Sequence, residues 1–129
     1  MVRETIGLGG LFDFDCVGIR HGWIRLRLPF DERYLRPGDA ISGPTVFTLA
    51  DTALFGAVLS MIGEQPMAVT ADMDMHFLRR AGRADLFAES RILKLGRRLA
   101  VGDVTLYSGD DERPVAHAVG SYALPARGG

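Results

Sequence analysis

The sequence predicts an α+β fold in which a curled antiparallel sheet wraps one long central helix. Three observations predict it. The run from Pro44 to Ile62 is almost wholly apolar, has helical length and is flanked by Gly43 and Gly63. Segments on either side of it alternate apolar and polar residues with period two, the signature of half-buried strands. The segments after it are separated by short turn-like stretches, which makes consecutive strands antiparallel neighbours.

The chain has 129 residues, the size of one ordinary domain, and reads as a single domain over 1–129. Apolar residues make up 47% and charged residues 24%, a composition that folds rather than staying disordered. The formal net charge is -1 with both signs scattered, so there is no field to attract nucleic acid or an anionic membrane. Cys16 is the single cysteine, which excludes an internal disulfide and a cysteine zinc site. It sits in an alternating apolar stretch and reads as a buried structural thiol. Met1 to Gly10 carries no continuous apolar stretch, so no secretory signal is legible and a cytoplasmic location is expected.

Taken in order, Trp23 to Leu28 is the first clean strand, with Ile24, Leu26 and Leu28 opposite Trp23, Arg25 and Arg27. Gly38 and Gly43 break the segment that follows, and Pro44 suits a first helical position, where its missing N–H costs nothing. A helix apolar nearly all round needs sheet around it, and Asp51 in its middle argues against a membrane span. From Val69, strict alternation puts Val69, Ala71, Met73, Met75 and Phe77 on one face and Thr70, Asp72, Asp74 and His76 on the other. Three more strands follow at 85–95, 100–107 and 115–124, with turns at Gly96-Arg97-Arg98 and Ser108-Gly109-Asp110-Asp111. The Ala126 to Gly129 tail reads as frayed. An amphipathic edge such as Val69 to Phe77 is left sticky by one small sheet, so pairing with a second copy is expected.

Asp51 is the only ionisable residue between Gly43 and Gly63. A carboxylate in an apolar setting costs several kcal/mol unless paired or solvated. Two readings account for it: a structural Asp held by an arginine or by backbone amides, or a catalytic one. The helix start favours the second, because its free N–H groups form a partial positive pole able to stabilise an oxyanion. Asp51 lies about 12 Å further along at about 1.5 Å per residue. An extended substrate meets both poles only if they come from different subunits.

The stretch Ser42-Gly43-Pro44-Thr45-Val46-Phe47-Thr48-Leu49-Ala50-Asp51-Thr52-Ala53 resembles the motif H-G-G followed by a helix reading t-L-A-D-t-A, found in hotdog thioesterases of the phenylacetate-degradation type. Val69-Thr70-Ala71-Asp72-Met73, Phe77-Leu78-Arg79-Arg80 and Leu93-Lys94-Leu95-Gly96-Arg97-Arg98 resemble that family's V-T-x-d-l, F-L-R-P and strand-G-R segments, in its order. The resemblance implies a hotdog fold, a homodimer or a tetramer of such dimers, and hydrolysis of acyl-CoA with no metal or organic cofactor, CoA entering as part of the substrate. Asp51 matches the catalytic carboxylate, a general base or a nucleophile, and Gly43 the glycine whose amide polarises the thioester carbonyl. Two positions depart from the motif. Ser42 replaces histidine and offers only a hydroxyl, and Pro44 replaces the second glycine and offers no N–H.

Further substrate contacts are expected from Ser42, from Thr48 beside Asp51, and from Phe55 and Met73, which with Phe47, Met61 and Met75 suit an apolar or aromatic acyl group as well as an ordinary core. Of the basic residues Arg79, Arg80, Lys94, Arg97 and Arg98, either solvated charge or capture of CoA phosphates is a consistent reading, with Arg97, Arg98 and then Arg80 as the phosphate candidates. Asp72, Asp74 and His76 form a weak metal pattern, and His21 and His117 lack partners at metal or triad spacing. Two rival functions remain: a non-catalytic acyl-CoA or ligand-binding module, and a hydratase or dehydratase, which would want a histidine paired with a carboxylate around the helix, where no histidine lies between His21 and His76.

Overall fold

Alternation along Trp23–Leu28 becomes burial: Ile24, Leu26 and Leu28 are buried, and the residues between them are half-exposed on the opposite face. A computed structural model describes residues 3–4, 14–63 and 68–125. In chain order the elements are β1 (Arg3–Glu4), β2 (Phe14–Arg20), β3 (Trp23–Leu28), a 3-10 turn at Glu32–Tyr34, β4 (Leu35–Arg36), β5 (Ala40–Ile41), α1 (Gly43–Ile62), β6 (Val69–Phe77), β7 (Leu86–Leu95), β8 (Leu99–Ser108) and β9 (Ala116–Ala123). Most of Met1 to Gly10 and the Ala126 to Gly129 tail lie outside the described residues.

The main sheet runs β1-β2-β3-β7-β8-β9-β6, every neighbouring pair antiparallel, so β6 is an edge strand. Its inner face wraps α1, the hotdog arrangement. Leu49, Ala50, Ala53, Leu54 and Ala57 of the helix are fully buried, against Leu26 and Leu28 of β3, Leu86 and Ala88 of β7 and Val104 and Leu106 of β8. By length and hydropathy α1 could cross a membrane; here the sheet packs on one side of it and buries ten of its residues. Close approach is bought at Gly102 and Gly120, where an added Cβ would stand 2.7 and 2.9 Å from the Leu54 methyls.

The helix begins one residue earlier than a proline-first reading places it. Ser42 is the N-cap, its hydroxyl accepting from the Thr45 N–H, and Gly43 opens the first turn ahead of Pro44. Gly63 ends it with φ 80° and donates its N–H to Leu59 O. The short strands β4 and β5, joined through Gly38 (φ 99°) and Asp39 (φ 59°), escape sequence reading because two residues show no period.

Strict alternation put Thr70 on the face of Asp72, Asp74 and His76. In β6 a bulge between Thr70 and Asp72 adds an unpaired residue, so Thr70 pairs with Tyr122 and Asp72 with Ser121. An extra residue reverses the parity of everything on one side of it. Thr70 therefore faces the helix while Asp72 faces outward and accepts from Ser121 Oγ at 2.8 Å.

Candidate active site

Asp51 lies half-buried on a stripe of α1 that the protomer's own sheet leaves uncovered, with Pro44 and Phe47 exposed and Thr48, Phe55, Leu59 and Ile62 half-buried along it. Its carboxylate is held from the sheet. Oδ1 accepts from Tyr122 Oη at 2.6 Å and from Thr70 Oγ1 at 2.8 Å. Tyr122 Oη also lies 3.1 Å from the Asp51 main-chain carbonyl. Oδ2 has no hydrogen-bond partner and the carboxylate no cation within salt-bridge distance among the described residues. Tyr122 is 3% exposed and stacks on Phe55 with ring centroids 5.6 Å apart. Burial, then the bond to Asp51, pushes its phenol well above the usual tyrosine range, so it stays a proton donor at any working pH. The arginine or backbone-amide partner expected of a purely structural Asp is absent among the described residues.

The other pole is the start of α1. An α-helix leaves its first N–H groups without intrahelical acceptors. Here Pro44 has none to offer, Thr45 N–H goes to Ser42 Oγ at 3.3 Å and Val46 N–H to Ser42 O at 3.2 Å. Gly43 N–H remains, the one donor of that turn without an acceptor among the described residues. Gly43 lines a cleft of about 320 Å³ together with Arg36, Ile41, Val46, Phe77, Arg79 and Arg80 among others. The three arginines come from β4 and from the segment after β6, which Leu78 and Arg79 tie down by donating to Val115 O. None of the three is ion-paired among the described residues, whereas nearby Arg83 binds Glu32 and Asp39 and Arg113 binds Asp111. Arg79 also exerts a lesser attraction on Asp111, whose carboxyl is held below its usual range mainly by Arg113.

The remaining expected site residues divide. Ser42 Oγ is occupied by its cap bond and by Thr45 Oγ1 at 2.7 Å, and Thr48 Oγ1 by Pro44 O at 2.8 Å. Phe55 stands beside Asp51 through Tyr122, and Met73 packs inward against the core near Gly120. The phosphate candidates do not converge within one protomer. Arg79 and Arg80 follow Phe77, which pairs with Ala116, while exposed Arg97 and Arg98 precede Leu99, which pairs with Ala123. Those two points on β9 are roughly 23 Å apart at about 3.3 Å per residue. Asp51 lies near the Ala123 end, Gly43 near the Ala116 end. Thr70 and Tyr122 were not legible as site residues, the first because of the bulge and the second because a strand tyrosine reads as core. Arg36 was missed because β4 was.

On the outer face, His117 pairs with Asp103 and His76 with Asp74, both at 3.2 Å, and Arg91 joins Asp103. Asp72 turns away to Ser121, so the Asp72, Asp74 and His76 trio does not converge; no group of three potential ligands does among the described residues.

A family model described as thioesterase superfamily matches residues 38–115, a span holding both poles and, of the cleft arginines, Arg79 and Arg80. A candidate esterase of Pseudomonas aeruginosa is 37% identical over 127 residues, covering 97% of this chain and 92% of that protein. A crystal structure of a candidate thioesterase from Silicibacter is 41% identical with TM-score 0.79, covering 87% of this chain and 78% of the other. A variant of the phenylacetic acid degradation protein of Thermus thermophilus shares the fold at TM-score 0.78 and 22% identity, over 87% of this chain and 93% of that one. These matches support a thioester-hydrolase role, and the chain belongs to the thioesterase superfamily and has the hotdog fold.

Proposed function

We propose that the protein is an acyl-CoA thioesterase whose active site forms between two copies of the chain. The observation that carries this reading is the Asp51 carboxylate, fixed through one oxygen with the other open, at the uncovered edge of a sheet whose helix start presents one open N–H. Pairing β6 with its twin about a two-fold axis runs the strands antiparallel, so the Val69 end of one meets the Phe77 end of the other. That brings Asp51 of one protomer toward Gly43 of the second. It also reunites the divided basic residues, Arg97 and Arg98 from one side with Arg36, Arg79 and Arg80 from the other, around the CoA phosphates.

In the reaction, Gly43 N–H polarises the thioester carbonyl and Asp51 Oδ2 takes a proton from water as its oxygen attacks the carbonyl carbon. The C–S bond then breaks, and the departing thiolate takes the proton back. If Oδ2 attacks the carbon itself, water cleaves the resulting anhydride and the products are the same. Both routes need an ionised oxygen. CoA is substrate and no resident cofactor enters. The cytoplasm, where CoA esters are made and used, is the proposed location, and one catalytic domain spanning the chain the proposed organisation.

Asp51→Asn keeps shape and removes the base, so kcat should fall about 10²-fold to 10⁴-fold on acyl-CoA substrates, read as thiol release, with the melting temperature nearly unchanged. Turnover above about a tenth of wild type, outside that loss, would favour the rival reading of a non-catalytic acyl-CoA-binding module.

A further inference from the structure

We infer that Tyr122 is a positioning residue for the Asp51 carboxylate, occupying Oδ1 so that Oδ2 alone meets the reacting water or carbonyl. The inference rests on the proposed role of Asp51. A carboxylate on a two-bond arm rotates between rotamers and can present either oxygen. In this molecule the buried phenol at 2.6 Å and Thr70 at 2.8 Å both donate to Oδ1, leaving Oδ2 without a partner among the described residues. The two donors differ in rigidity. Thr70 stands exposed on the edge strand, whereas Tyr122 is buried in the central sheet and held flat by Phe55. Its oxygen touches both the side chain and the main-chain carbonyl of Asp51, which ties the helix at that residue to β9. As a phenol kept protonated it cannot act as a competing base. Tyr122 is 3% exposed, so its role is assigned through the Asp51 carboxylate and not through substrate contact.

The test is a double-mutant cycle on the full-length protein with an acyl-CoA substrate, following kcat, KM and melting temperature. Tyr122→Phe removes only the hydroxyl. Losing one hydrogen bond to a charged group predicts a fall in kcat of about 10-fold to 100-fold with KM unchanged. In the Asp51→Asn background the same change should have no further effect, because groups acting as one unit are not additive. Val58→Ala, a cavity variant in the buried stretch of the same helix, separates stability from positioning: it should lower the melting temperature and leave kcat per folded molecule intact. Asp51→Glu offers a second route that leaves Tyr122 in place. Displacing the carboxylate by one methylene should lower kcat at least about 10-fold although the base survives. Wild-type kcat in Tyr122→Phe or in Asp51→Glu, or an equal additional loss in the Asp51→Asn background, overturns the inference. An active Asp51→Asn single variant instead overturns the reading beneath it.

Discussion

In the proposed reaction two groups carry the chemistry, and each is exposed by what its neighbours take up. Around Gly43, a proline supplies no N–H and Ser42 takes those of Thr45 and Val46, so one backbone donor is left at a residue that lines the cleft. Around Asp51, Tyr122 and Thr70 consume one oxygen and leave the other. The departures at positions 42 and 44 thus shift those residues to helix capping and leave the Gly43 amide intact. Gly43→Pro isolates that amide. Ser42 already holds the extended backbone that a following proline demands (φ -63°, ψ 146°), and a first-turn helical position tolerates proline. Gly43 has no positive φ, and its Cβ would meet the Phe77 ring at 3.6 Å, ordinary contact. Because Pro44 restricts the residue before it, melting temperature is read alongside, and kcat per folded molecule should fall about 10²-fold to 10³-fold, the usual cost of one oxyanion donor. Unchanged kcat in a folded Gly43→Pro protein would remove the amide from the mechanism.

At the scale of elements, the helix is held by close approach as much as by apolar area. Gly102 on β8 lets Leu54 reach the sheet, and a Cβ there would lie 2.7 Å from both the Leu54 methyl and the carbonyl of Arg91. Backbone cannot yield as a side-chain tip can. Gly102→Ala should therefore cost about 1–3 kcal/mol as overpacking, read as a lower urea midpoint at constant slope. An unshifted midpoint would mean that α1 has slack against β8. The same elements explain what was legible. The long helix, its Gly63 stop, the clean alternation of Trp23–Leu28 and the three later strands all speak through local patterns, and Asp51 is conspicuous as a lone charge in an apolar run. The bulge in β6 is not local in that sense: it is set by pairing with β9, and it alone turns Thr70 toward Asp51. Tyr122 becomes a partner of Asp51 only through packing between residues 71 positions apart. Arg36 depends on a two-residue strand that no periodicity reveals.

At the scale of the molecule, the two poles sit eight residues apart on one helix and the basic residues sit at opposite ends of β9, so under the proposed function a protomer holds two half-sites rather than one site. The open edge of β6, with Val69 58% and Phe77 56% exposed, and the uncovered stripe of α1 are the surface on which, in the proposed dimer, a second copy completes both halves. Mixing two inactive variants measures this directly. Asp51→Asn keeps every Gly43 amide, Gly43→Pro keeps every Asp51, and each homodimer lacks one pole at both sites. In a heterodimer one site draws both intact poles and the other neither. After subunit exchange, confirmed by pulling down one tagged variant with the other, thiol release should rise from near zero to about one quarter of wild type for random pairing of two-fold dimers. Verified exchange with no recovery of activity would contradict a site shared between protomers.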